Sequence, residues 1–129
     1  MISYENSLRR QKGFPVLGAK EYFSKDDREK LSIEHITARR ASDIKLTEDF
    51  NERYLHSIGN LVIDHATSNS SKGNKAGGEK IHSYKKAPLM SQNEIDGFGC
   101  DWGKLRSVKS FVSEREKIMK KFVVSMLGE

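Results

Sequence analysis

The stretch LSIEHIT, Leu31 to Thr37, decides the fold. Its apolar and polar residues alternate, so Leu31, Ile33 and His35 fall on one face of an extended chain and Ser32, Glu34 and Ile36 on the other. That period predicts a strand. It also sets Glu34 and His35, neighbours in sequence, on opposite faces. Behind it, ARRASDIKL (38–46) is a polar loop. TEDFNERYLHSIG (47–59) predicts a helix: Thr47 is a fitting N-cap, Glu48 and Asp49 fall in the first turn, and Gly59 is a stop. Phe50, Tyr54 and Ile58, spaced by four, would form its apolar face. NLVID (60–64) predicts a second strand. HATSNSSKGNKAGG (65–78) is small, polar and glycine-rich, and is expected to start a helix near Thr67 that loosens at Gly73, Gly77 and Gly78. EKIHSYKKA (79–87) predicts another short helix. The middle of the chain thus runs strand, long connection with a helix, strand, helix.

The flanks are helical. SLRRQKG (7–13) predicts a short helix ending at Gly13, and SKDDREKL (24–31) another, with Ser24 as N-cap. SQNEIDGFGCDW (91–102) is turn-rich, with room for one helical turn. From Lys104 to Leu127, apolar residues at Leu105, Val108, Phe111, Val112, Ile118, Met119, Phe122, Val123 and Met126 have helical spacing, and this helix is expected to pack across the domain.

Bulk properties bound the function. The 129 residues suit one domain with one modest core. Hydrophobic residues make up 36% and charged residues 32%, a polar but globular composition. No apolar run approaches the roughly eighteen residues of a membrane span, and the N-terminus lacks the apolar stretch of a signal peptide. A single cysteine, Cys100, excludes an internal disulfide and a four-cysteine zinc site. A cytoplasmic protein is expected. The net charge of +5 favours an anionic partner, nucleic acid first among them. The charge is concentrated: between Asn69 and Leu89 lie Lys72, Lys75, Lys80, Lys85 and Lys86 against Glu79 alone. Such a local excess suits phosphate, because each contact releases condensed counterions.

Metal-assisted phosphodiester hydrolysis needs a general base working near pH 7, a hard cation held by oxygen ligands, and a partner that orients the base. The chain supplies these types in order. His35 is the candidate base, with Glu34 beside it. Asn60 opens the second strand, and Asn69 falls in the first turn of the helix expected after it. Glu34 and His35 serve one site only if the strand end twists or the ion sits at its edge.

The ordered set EHI, SIGNLVI, TSNSSKGN and KIHSYKK resembles the HNH, or ββα-metal, nuclease motif. More specifically it resembles the C-terminal nuclease domain of GmrSD-type restriction endonucleases. The match runs from about Ile33 to Lys86, with weaker support to Val123, and Trp102 and Arg115 are similar to that family's tail. The resemblance implies a single α+β domain over 1–129: an N-terminal extension (1–30), a ββα-metal core (31–86) with a short two-stranded antiparallel sheet, and a C-terminal helical part (87–129). It implies DNA as partner and Mg²⁺, or Mn²⁺, as cofactor. His35 matches the general base. Asn60 matches a residue whose amide ties the long connection and helps orient His35. Glu34 and Asn69 match metal ligands. Asn74 and Lys80 match positions near substrate phosphate, and Arg39, Arg40, Lys72 and Lys86 are further candidate DNA contacts. The family further implies a bacterial or archaeal defence role and a nucleotide-hydrolysing N-terminal domain in a longer chain. Two positions depart from its pattern: Ala38 stands where the family has proline, and Glu34 is one methylene longer than aspartate.

Blander roles stand beside these. Asn60 at a turn end can simply bond local backbone, Asn69 can be a helix cap, and a lysine run is usually a solvated face. His56, His65 and His82 lack the histidine–cysteine spacing of a zinc site; His65 is placed to touch a phosphate. An inactive nucleic-acid-binding module of the same fold, or a basic interaction domain, would share the charge pattern.

Overall fold

The computed structural model describes residues 1–18, 30–38, 44–65 and 77–128. In chain order these form α1 (Ile2–Gln11), β1 (Leu31–His35), α2 (Glu48–Arg53), a 3₁₀ turn (Ile58–Asn60) and β2 (Leu61–His65). Then follow α3 (Gly77–Lys86), α4 (Met90–Asn93), a second 3₁₀ turn (Glu94–Phe98) and α5 (Leu105–Leu127). The two strands pair antiparallel, with His35 opposite Leu61, Glu34 opposite Val62 and Leu31 opposite His65. The fold is α+β, a small two-stranded sheet among helices. The helices expected near Ser24 and Thr67 lie outside the described residues.

The alternation of β1 is realised. Glu34 and Ile36 are buried, whereas Ile33 is 59% exposed and His35 is half-buried. The inner face meets Phe50, Leu55, Val62, Tyr84, Val108, Phe111 and Val112 in the main core. Trp102 joins it edge-on against Phe111, with ring centroids 4.9 Å apart.

Three elements differ from expectation, α1 among them, since it begins at Ile2 rather than near Ser7. The helix opened by Thr47, whose hydroxyl accepts from Phe50 N at 3.1 Å, stops at Arg53 rather than near Gly59. The Phe50 carbonyl accepts from both Tyr54 N and Leu55 N, which tightens the chain and turns Leu55 into the core. Asn60 accordingly belongs to the 3₁₀ turn, and the second strand begins one residue later than expected.

Gly59 is present for close approach. A Cβ there would lie 2.0 Å from the Val112 carbonyl oxygen, so only glycine lets α5 lie against this turn. Arg115, one turn on from Val112, is fully buried and donates through Nη1 to the Ile58, Gly59 and Leu61 carbonyls. Burial pulls its guanidinium below its ordinary pKa, and the Glu94 charge opposes that pull. The stripe expected on α5 is buried through Val108, Phe111, Val112 and Met119 only; Ile118, Val123 and Met126 are exposed.

The N-terminal segment is knitted into the domain. Glu5, fully buried, accepts from Met90 N and Ser91 N at 2.8 and 2.7 Å. It thereby caps α4, whose own N-cap residue, Leu89, offers no side-chain bond. Arg9 bonds Glu5 at 2.7 Å and reaches the Pro88 carbonyl at 2.7 Å.

Candidate active site

The end of β1 is held by two residues, Asn60 through its side chain and its carbonyl, and Lys80. The Asn60 side chain, 0% exposed, accepts from Thr37 N at 2.9 Å and donates to Thr37 O at 3.0 Å and Leu55 O at 2.8 Å. One amide thus joins the exit of β1 to the end of the α2 turn. The Asn60 carbonyl accepts from Ile36 N at 2.8 Å. The Lys80 ammonium donates to His35 O at 2.8 Å and Ile36 O at 3.2 Å. The backbone that carries His35 is therefore fixed at the residue and just beyond it.

From that backbone the two candidate side chains diverge. Glu34 enters the interior, 3% exposed. One of its oxygens, Oε2, accepts from the Tyr84 hydroxyl at 2.8 Å; the other, Oε1, lies 3.6 Å from Lys80 Nζ. Lys80 and Tyr84 are one helical turn apart on α3, so both face the inner side of β1. Burial raises the Tyr84 hydroxyl above its ordinary pKa, and the neighbouring Glu34 charge raises it further. His35 projects from the outer side. Its Nε2 lies 3.0 Å from Nδ1 of His56, with the rings edge-on at 5.0 Å between centroids. His56 sits in the turn after α2 and is exposed.

The structure thus brings His35, Asn60 and His56 together at one end of the sheet, with Glu34 behind them on the inner face. Lys80, expected against phosphate, is instead 1% exposed, because its ammonium serves the His35 and Ile36 carbonyls and the Glu34 carboxylate. Lys86, at the end of α3, is exposed and open to an anionic partner. Arg39, Arg40, Asn69, Lys72 and Asn74 lie outside the described residues. Zinc spacing, the role the sequence suggests testing for His56, does not report its contact with His35. The signal lay nearby: His56 precedes the Ser57–Asn60 turn that Asn60 ties to the exit of β1.

Whether the expected metal ligands fit a divalent cation can be judged for Glu34. A divalent ion at its carboxylate would sit beside the buried Lys80 ammonium, and two cations there would repel. Among the described residues no group of three or more His, Cys, Asp or Glu is placed to hold a metal ion. The Glu34 carboxylate is thus engaged by Lys80 and Tyr84, and Asn69, the other ligand the resemblance implies, lies outside the described residues.

Among the described residues no helix is long and apolar enough to cross a membrane. Comparison with curated proteins and with solved structures finds no match. A family model does match, over residues 4–121, which takes in most of α1, the sheet and most of α5. That span includes Gly59, Asn60, Trp102 and Arg115, the residues on which the packing just described depends. The chain belongs to the family of the C-terminal domain of GmrSD restriction endonucleases, a family of restriction-type nucleases.

Proposed function

We propose that this domain is an endonuclease that hydrolyses DNA phosphodiester bonds, with His35 as its general base. The observation that carries this is the placement of His35: a half-buried imidazole on a backbone pinned by Asn60 and Lys80. A base held in this way can take a proton from water as the water oxygen bonds to phosphorus and the P–O bond to the leaving group breaks. Asn60 acts through the chain, by fixing Thr37 two residues beyond the base. Lys86, with Arg39, Arg40, Lys72 and Asn74, would bind the DNA backbone, which fits the net charge of +5. Mg²⁺ or Mn²⁺, with Asn69 among its ligands, is what membership of the family suggests; no step is assigned to it. Action on invading DNA in a bacterial or archaeal cytoplasm, beside an N-terminal nucleotide-hydrolysing domain, belongs to the same reading.

One observation favours a second reading, a DNA-binding module without turnover: the acid beside the base is engaged by Lys80 and Tyr84. Supercoiled plasmid separates the two. The chain and His35→Ala are incubated with plasmid and MgCl₂ or MnCl₂, with and without EDTA. Nicking by the wild type and its loss, by about 100-fold or more, in His35→Ala is expected. Equal nicking by both, or retention of plasmid in a gel shift with no cutting by either, refutes the catalytic assignment. The EDTA arm reads the metal requirement directly.

A further inference from the structure

We infer that His56 is a positioning residue for His35, fixing the orientation and tautomer of the imidazole. The inference rests on the role proposed for His35 and adds a residue to it.

The geometry is specific. His35 Nε2 and His56 Nδ1 face each other at 3.0 Å, a hydrogen-bond distance for two ring nitrogens. Such a contact needs one N–H and one lone pair, so a single proton lies between the two nitrogens. The tautomers of the two rings are thereby coupled through this contact, and with them the role left to His35 Nδ1. This is how oriented imidazoles generally work: the bond made by one nitrogen decides what the other does.

His56 is built to hold that place. Its neighbours are fixed on both sides: the Leu55 carbonyl accepts from the Asn60 amide at 2.8 Å, and Ser57 N donates to Tyr54 O at 3.1 Å. The Ser57 hydroxyl in turn accepts from Gly59 N at 3.1 Å. The same Asn60 amide that pins Thr37 beyond His35 therefore pins Leu55 before His56. One buried side chain sets the spacing of the two imidazoles. His56 is itself exposed and its ring stands edge-on to His35, so burial in the core does not account for its placement.

The test compares His56→Ala, His56→Asn, His56→Gln and His35→Ala for plasmid nicking with MgCl₂ or MnCl₂. The ¹⁵N shifts of the His35 ring are recorded for the wild type and the His56 variants. An asparagine amide stands one bond beyond Cγ, as Nδ1 does, whereas a glutamine amide stands further out. Expected is a fall of about 10- to 100-fold in kcat for His56→Ala with KM held, as for other partners that orient a reacting group. His56→Asn should recover more than His56→Gln. The ¹⁵N pattern of His35 should pass from one tautomer in the wild type to a mixture in His56→Ala. Unchanged kcat and unchanged ¹⁵N shifts in His56→Ala, with His35→Ala inactive, overturn this inference and leave the role of His35 standing. A rise in KM alone also overturns it, by making His56 a substrate contact. Activity retained in His35→Ala overturns the parent reading instead.

Discussion

Replacing Gly59 with alanine tests the packing on which the site rests. The added Cβ would meet the Val112 carbonyl oxygen at 2.0 Å, and Val112 C and Glu116 N at 2.9 Å. All three atoms are backbone of α5, so no side chain can turn aside. To restore an ordinary contact of about 3.4 Å, α5 must retreat by about 1.4 Å. The Arg115 bonds to Ile58 and Gly59 carbonyls, now 3.2 and 3.1 Å, would open beyond hydrogen-bond range. Each bond to a charged donor is worth about 1.5–3 kcal/mol, and the stranded guanidinium would be buried. Val108 and Val112 would also lose core contacts. The sum is roughly 4–6 kcal/mol, a large part of the 5–15 kcal/mol typical of a domain. Urea unfolding followed by fluorescence of the buried Trp102 and by circular dichroism measures it. Gly97→Ala is the control, since a Cβ there meets nothing within 4 Å, and it should change stability by less than about 0.5 kcal/mol. A Gly59→Ala protein within about 1 kcal/mol of wild type would refute the reasoning, because the α5 backbone would then have moved at little cost.

Three further outcomes are expected. Asn60→Asp keeps an acceptor for Thr37 N but cannot donate to the Thr37 and Leu55 carbonyls, so it should lose about 3–5 kcal/mol in urea unfolding; a loss under about 1 kcal/mol sinks the idea. Lys80→Met leaves the Glu34 carboxylate buried beside Tyr84 without its ammonium and should cost about 3–5 kcal/mol, part of which Lys80→Met/Glu34→Gln recovers; strict additivity in that double-mutant cycle argues against coupling. Burial raises the Glu94 pKa above its ordinary 4.5, against the lowering pull of the Tyr4 hydrogen bond and the Arg115 charge, so the folded state holds this proton more tightly than the unfolded chain. The contribution of Glu94 to stability therefore falls as pH rises from about 4.5 through the raised value, and Glu94→Gln should flatten the stability–pH curve in that window; superimposable curves for the two proteins refute it.

What could be read in advance, and what could not, divides along physical lines. The alternation in LSIEHIT carried the strand and its two faces, because period two is local to five residues. Thr47 marked the start of α2 through a cap that needs only Phe50 three residues on. Gly59 resembles a helix stop, but its actual reason is the close approach of Val112, 53 residues on in sequence, so α2 ends earlier than that signal implies. Lys80 was misread for a similar reason. A lysine in a basic run is usually solvated, and only the packing of α3 against β1 shows that two carbonyls and a carboxylate surround its ammonium. The pairing of His35 with His56 depends on the Asn60 tie between two loops, a three-residue relation that no local period reports.

The two faces of β1 do different work, and this bears on how the domain can be altered. A five-residue strand cannot bring an acid and the next residue to one side without a twist, and here it does not. Glu34 instead recruits Lys80, and the ammonium so recruited spends two of its three donors on the His35 and Ile36 carbonyls. The inner charge pair thus acts on the outer imidazole through the backbone, as the Asn60 amide does from the turn before β2. Removing Glu34 should therefore disturb the site by loosening the chain under His35. Such a loss of activity on its own would not identify Glu34 as a metal ligand. The distinguishing case is Glu34→Gln: an amide can still accept from Tyr84 and lie beside Lys80, whereas a divalent ion would lose its anionic ligand. Activity retained in Glu34→Gln, at an unchanged metal requirement, supports the interior role, and its abolition with stability intact speaks for the ion.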